Sequence, residues 1–252
     1  MPRFARRLLI GLVALAVLAA CGALPQDPTE KWDAQRLYTE AQDEIGVGNW
    51  QRARELLEKL EARYPFGPYA QQAGLEIIYT YHKERETAQC TVAADRFLKL
   101  NPNHAHADYA QYLKGLCLFE LEPGVVRGLI TQAPSRRDPQ SMREAFDVFK
   151  SLVQRWPQSR YAPDARHRMD VLVDALAKSE INIARFYLER GAYVAAIERA
   201  QTVLKDFQTT DAAKDALGIL VSAYRSLGLE QLAQDSEEVL RLNFPPDRDP
   251  AK

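Results

Sequence analysis

The chain has 252 residues, with 33 Lys and Arg against 34 Asp and Glu and a formal net charge of −1. So even a balance excludes the strongly basic footprint of a nucleic-acid binder. No glycine-rich phosphate loop, no nucleophile beside a base and no paired carboxylates stand out from routine helix charges, so the residues favour a binding scaffold over an enzyme.

The first element is MPRFARRLLIGLVALAVLAAC. Arg3, Arg6 and Arg7 precede an apolar run of 13 residues, Leu8 to Ala20. That run is shorter than the roughly 20 residues needed to cross a bilayer and fits the core of a signal peptide, here residues 1–20. It ends in Leu18-Ala19-Ala20-Cys21, which resembles the bacterial lipobox. The resemblance implies a covalent lipid on Cys21 and, with Gly22 rather than Asp after it, sorting to the outer membrane. Several acyl chains, at about 0.8 kcal/mol per buried methylene, make a durable anchor. Residues 21–31, polar and proline-containing, are expected to act as a flexible tether. Removing residues 1–20 leaves 30 basic against 34 acidic side chains, a net of −4, which gives no general attraction to anionic lipid.

From residue 32 an internal repeat sets in. RYPFGPYAQQA (63–73), LNPNHAHADYA (100–110), RWPQSRYAPDA (155–165) and DFQTTDAAKDA (206–216) align on Pro65, Pro102, Pro157 and Gln208. Alanine recurs five residues on, at Ala70, Ala107, Ala162 and Ala213, and eight residues on, at Ala73, Ala110, Ala165 and Ala216. Twelve residues before each breaker, with Pro245 as the fifth, stand Ala53, Cys90, Ala145, Ala196 and Ala233. A proline ends a helix and disfavours the α region for the residue before it. The small residues mark close crossings between paired helices, where a larger side chain costs about 1–3 kcal/mol in overpacking. Gln208 replaces proline in one copy and leaves the form of that turn open.

The breakers lie 37, 55, 51 and 37 residues apart, against a base period of about 34 for helix–turn–helix repeats. The 55-residue interval carries a Pro- and Gly-rich stretch at 121–140 that reads as a long loop. The 51-residue interval has no Gly or Pro from Asp164 to Arg190. Its extra length is close to four helical turns, so one long helix is expected across 163–190. The fold class is therefore all-α: a right-handed solenoid of five tetratricopeptide-like helix pairs, about ten helices, over 32–243. The pairs are approximately 32–65, 66–102, 103–157, 158–208 and 209–245, with a disordered tail at 246–252.

Cys90 and Cys117 fall on neighbouring helices. An oxidising compartment permits a disulfide, but an unpaired cysteine usually serves as a small buried hydrophobe, and the sequence favours the second without settling it. His104 and His106 share a turn but lack acidic or cysteine neighbours, so no metal site and no cofactor are expected.

The blocks RYPFGPYAQQ, RFLKLNP, RRDPQ and ERGAYVA, following a lipobox and spread over essentially the whole chain, resemble the BamD (ComL-type) lipoproteins of the β-barrel assembly machinery. The resemblance implies a non-catalytic protein on the outer membrane, lipid-anchored and facing the periplasm. Its implied partners are the BamA periplasmic domain, other lipoproteins of the complex and the C-terminal segments of unfolded outer-membrane proteins. The alternatives are a pilotin-type repeat lipoprotein for secretin assembly and an envelope enzyme acting on peptidoglycan.

An aromatic-rich N-terminal region suits an extended client segment, and Tyr64, Phe66, Tyr69 and Arg96 are the candidate groove. Tyr79, Tyr81, Tyr109 and Tyr112 sit at helical spacing and are expected to be mostly inter-helix core. The resemblance places BamA docking in the C-terminal repeats, at Glu189, Arg190 and Arg199. Arg199 is expected either to pair with an acidic group of the partner or to cap a solvated helix face.

Overall fold

The computed structural model describes residues 27–119 and 139–245. The signal peptide, Cys21, most of the 121–140 insert and the 246–252 tail lie outside the described residues. Within them there are ten helices: α1 (Ala34–Gly46), α2 (Trp50–Arg63), α3 (Pro68–Lys83), α4 (Thr87–Leu100), α5 (Ala107–Phe119), α6 (Pro139–Arg155), α7 (Ala162–Glu189), α8 (Tyr193–Asp206), α9 (Ala212–Ser226) and α10 (Glu230–Asn243). No strand occurs among the described residues. The fold is an all-α, tetratricopeptide-like solenoid. The long helix of the fourth pair is α7. The insert is shorter than expected at its end, because Pro139 already begins α6, where a proline is tolerated in the first turn.

The described residues form two compact units, one ending at Ala73 and the other beginning at Gly74. In the first, α1 and α2 pack on each other, burying Leu37 and Ala41 of α1 and Ala53, Leu56, Leu57 and Leu60 of α2. In the second, each helix from α4 to α10 packs on its chain neighbour, and α7 also packs on α9. One core cluster joins Phe119, Met142, Phe149, Leu152 and Leu172 of α5 to α7. Another joins Ile181, Val203, Ile219, Leu220 and Tyr224 of α7 to α9, with Ala233 of α10.

The alanine register has a steric cause. Ala53, Cys90, Ala145, Ala196 and Ala233 are all fully buried, as are Ala73, Ala110, Ala165 and Ala216. At Gly115 of α5 the approach is closer still: a Cβ there would fall 2.4 Å from the buried Phe149 ring of α6. Side chains this small let backbones approach and give up no packing.

The breakers share one geometry. The residue before each leaves the helix near φ −130° and ψ 60°, at Tyr64, Asn101 and Phe244. Its N–H still donates to the carbonyl four residues back in all five copies, from Tyr64, Asn101, Trp156, Phe207 and Phe244. Phe207 adopts φ −133° and ψ 31° before Gln208, so that turn forms without proline. Within four pairs a second marker lies 17 residues before the breaker. Gly48, Gly191 and Gly228 adopt φ of 73–79°, and Arg85 holds the same place at φ 61°. This left-handed position closes the turn between the helices of a pair.

Candidate functional site

Asp27 and Thr29, within the segment expected to be a tether, are held against α2. Asp27 Oδ1 accepts hydrogen bonds from Lys59 Nζ (2.9 Å), Thr29 N (3.0 Å) and Thr29 Oγ1 (2.8 Å). Its Oδ2 accepts from Arg63 Nη2 at 2.7 Å. Arg63 Nη1 donates to the carbonyl of Thr29, which is fully buried. The Lys59 ammonium and the Thr29 donors hold the Asp27 carboxyl well below the usual carboxylate range. Two cations one helical turn apart on α2 thus pin one carboxylate.

Three of the expected client-binding residues lie just beyond this clasp. The Tyr64 hydroxyl donates to the Trp32 carbonyl at 3.0 Å. Tyr69, in the first turn of α3, packs its ring 5.6 Å from that of Tyr38. Phe66 stands out from the α2–α3 connection with 90 % of its surface exposed. Arg96 lies on α4 in the second unit and is exposed.

In the second unit, Tyr109 and Tyr112 of α5 stack on Tyr161, with ring centroids 5.3 and 4.7 Å apart. The Tyr112 hydroxyl donates to Asp164 Oδ2 at 2.6 Å, and Arg168 Nε donates to the same oxygen. Burial and the Asp164 carboxylate push the Tyr112 hydroxyl up to about 12. Tyr109 and Tyr112 are half-buried packing groups, in line with an inter-helix role, and Tyr161 is the stacking partner that sequence reasoning missed.

The expected docking residues sit at the end of α7 and on α8. Glu189 and Arg190 are exposed, and the Arg190 guanidinium lies 3.6 Å from the centroid of the Phe186 ring. Next to them Gly191, Tyr193, Val194 and Glu198, with Leu227 at the end of α9, line an open apolar depression. Val194 is 62 % exposed, and Phe186, Leu227, Leu229 and Leu232 are exposed as well.

Arg199 does not simply cap a solvated face. Its Nη1 donates to Glu180 Oε2 at 3.1 Å, and the Glu180 carboxylate, 7 % exposed, also lies 3.6 Å from Arg143 Nη2 of α6. A buried carboxylate on α7 thus joins α6 and α8, an arrangement no local motif announces.

Cys90 of α4 and Cys117 of α5 form a disulfide with Cα atoms 6.3 Å apart, not the unpaired thiols the sequence favoured, because α4 and α5 pack on each other. Among the described residues no group of His, Cys, Asp or Glu is placed to hold a metal. His104 Nδ1 instead accepts from the His106 backbone N–H at 3.1 Å. No helix among the described residues is long and apolar enough to cross a membrane.

Residues 30–240 match the family model YfiO, described as outer membrane lipoprotein. A relative from Neisseria meningitidis serogroup A, named outer membrane protein assembly factor BamD, is 44 % identical over 92 % of this chain and 88 % of its own. A protein of the same name from Vibrio cholerae is 38 % identical over 93 % of this chain and 97 % of its own. A third, from Caulobacter vibrioides, is 35 % identical over 94 % and 75 %.

Proposed function

The chain belongs to the BamD (YfiO) family of outer membrane lipoproteins, and from that premise we propose that it is a lipid-anchored, periplasm-facing scaffold with two separate binding surfaces. The family consists of assembly factors for outer membrane proteins and not of enzymes. On this reading the C-terminal pairs bind the BamA periplasmic domain and the N-terminal pairs bind segments of unfolded outer-membrane proteins. Other lipoproteins of the complex would occupy further parts of the surface.

The observation that carries the reading is the apolar depression at the start of α8, flanked by the charged groups of Glu189, Arg190 and Glu198. An apolar centre with a charged rim is the anatomy of a specific protein interface. Further along α8, outside the depression, Arg199 has one guanidinium edge on Glu180 and its side chain 45 % exposed. It has donors to spare for a partner carboxylate while Glu180 keeps it oriented. Phe66, largely exposed beside Tyr64 and Tyr69, is the natural contact for an aromatic client terminus.

Binding of the chain without residues 1–21 to the periplasmic part of BamA from the same organism tests the first surface. Val194→Asp and Arg190→Glu are each expected to weaken binding at least tenfold. Unchanged affinity in both would discard this face. Phe66→Ala is expected to weaken binding of a client C-terminal peptide with no change in BamA affinity. Equal peptide affinity would discard the aromatic contact.

A further inference from the structure

The Asp27 clasp changes what the lipid anchor can do mechanically. Cys21 and Asp27 are six residues apart, and an extended chain spans at most about 3.3–3.6 Å per residue. The longest reach from the acylated residue to the clasp is therefore about 20 Å. Without the clasp the next fixed point would be Trp32, whose carbonyl accepts from the Tyr64 hydroxyl at 3.0 Å, one residue before Asp33 caps α1. Trp32 lies eleven residues from Cys21, a reach of about 36–40 Å. Closing the clasp nearly halves the leash.

We propose that the Asp27–Lys59–Arg63 clasp is a membrane-docking device, which holds the first unit against the headgroups of the bilayer carrying the Cys21 acyl chains. This inference rests on the lipid-anchor reading above. The surface it would present fits a headgroup layer. Lys31 and Arg36 are exposed beside the exposed Glu30 and Asp33, and the Arg36 guanidinium lies 4.4 Å from the centroid of the half-buried Trp32 ring. Indole rings and basic groups are the side chains that settle at a membrane–water interface. The Tyr64 hydroxyl, bound to the Trp32 carbonyl, ties this face to the proposed client-binding residues. Clients would then be met beside the membrane they enter. Four donors from three residues, Lys59 and Arg63 of α2 and Thr29, converge on the one carboxylate.

The test uses the full lipidated protein in vesicles of phosphatidylethanolamine and phosphatidylglycerol. With Cys21 acylated and Cys90 paired with Cys117, Gln35→Cys supplies the one free thiol for a fluorescent donor, and the acceptor is placed on lipid headgroups. Energy transfer is measured for the intact clasp, for Asp27→Ala, for Arg63→Gln, and for a chain with six residues inserted after Gly22. The insertion lengthens the leash without touching the folded unit, so it remains informative should a clasp variant lose stability. Transfer is expected to fall at least twofold in all three altered chains. Unchanged transfer in either the clasp variants or the insertion, with acyl groups on Cys21 shown by mass, overturns the docking role alone. A Cys21 without acyl groups overturns the docking role together with the anchor reading.

Discussion

Glu180 accepts a hydrogen bond from Arg199 at 3.1 Å and is itself 7 % exposed, so an arginine expected to serve a partner is already engaged inside its own chain. Charge reversal there acts on the fold as well as on any interface. Arg199→Glu sets a second carboxylate against a buried one and is expected to cost about 2–4 kcal/mol of stability. Arg199→Ala leaves Arg143 in place and should cost about 1 kcal/mol. Urea unfolding of the two variants checks the ordering, and equal losses would refute it. A binding defect in Arg199→Glu is interpretable only beside that measurement.

The Cys90–Cys117 bond closes a loop between residues 27 apart. Chain-entropy arguments give about 3–4 kcal/mol for a loop of this size. Both cysteines are buried, at 0 and 3 % exposure, so the native protein should resist alkylation with or without mild reductant. The denatured, unreduced chain should be lighter by two hydrogens than the reduced one. Cys90→Ala with Cys117→Ala is expected to lower the unfolding free energy by that amount. Quantitative alkylation of the folded, unreduced protein would contradict the bond.

Gly191 and Arg85 hold the same left-handed turn position in different pairs, at φ 73° and 61°. Gly191→Ala is expected to destabilise by about 1–2 kcal/mol, because a Cβ disfavours that backbone region. Arg85→Gly relieves the same strain, but glycine's extra unfolded-state entropy offsets about 0.5–1 kcal/mol. These two backbone effects largely cancel, so the change that remains reports the side chain's own interactions. Thermal midpoints of the two variants give the comparison, and a large loss from Arg85→Gly would show that the side chain, not the turn, matters there.

The Asp27 carboxyl has a folded-state pKa below its ordinary value of 3.8, chiefly through Lys59 and then Thr29. A depressed acid contributes stability that is fully present above the unfolded value and is lost as pH falls through it towards the folded one. The difference in melting temperature between the parent chain and Asp27→Asn should therefore be constant from about pH 5 to 7 and shrink as pH drops below about 4. A difference that grew on acidification would exclude an ionised clasp.

Much of the fold could be read from the residues because its rules act locally and repeat. A backbone crossing that admits only Ala or Cys leaves the same trace in every pair, and a helix lengthened by whole turns keeps its face, as α7 does. The left-handed turn position recurs in four pairs but carries glycine in three, with Arg85 in the fourth, so it left a weaker trace. The functional surfaces were less legible. Glu180 meets its arginines across helices, with Arg199 19 residues along the chain, so no spacing rule connects them. The clasp was missed for a related reason: Asp27 pairs with Arg63, 36 residues away, and a polar, proline-containing stretch looks like a tether until its partner helix is in place. The disulfide was nearer to reach, since Cys90 occupies a crossing position and α4 and α5 are sequential neighbours.

That last coincidence makes the cross-link portable. Cys90 stands 12 residues before Pro102 and Cys117 stands 15 after it; about Gln208 the equivalent positions are Ala196 and Ala223. Both are fully buried in one cluster, on α8 and α9, which pack together. The repeat has in effect already tested cysteine at this junction, so Ala196→Cys with Ala223→Cys offers a second lock at the far end of the same unit. Locking one junction or the other, reversibly and by choice of reductant, would separate the flexing of individual pairs from the work the whole scaffold performs.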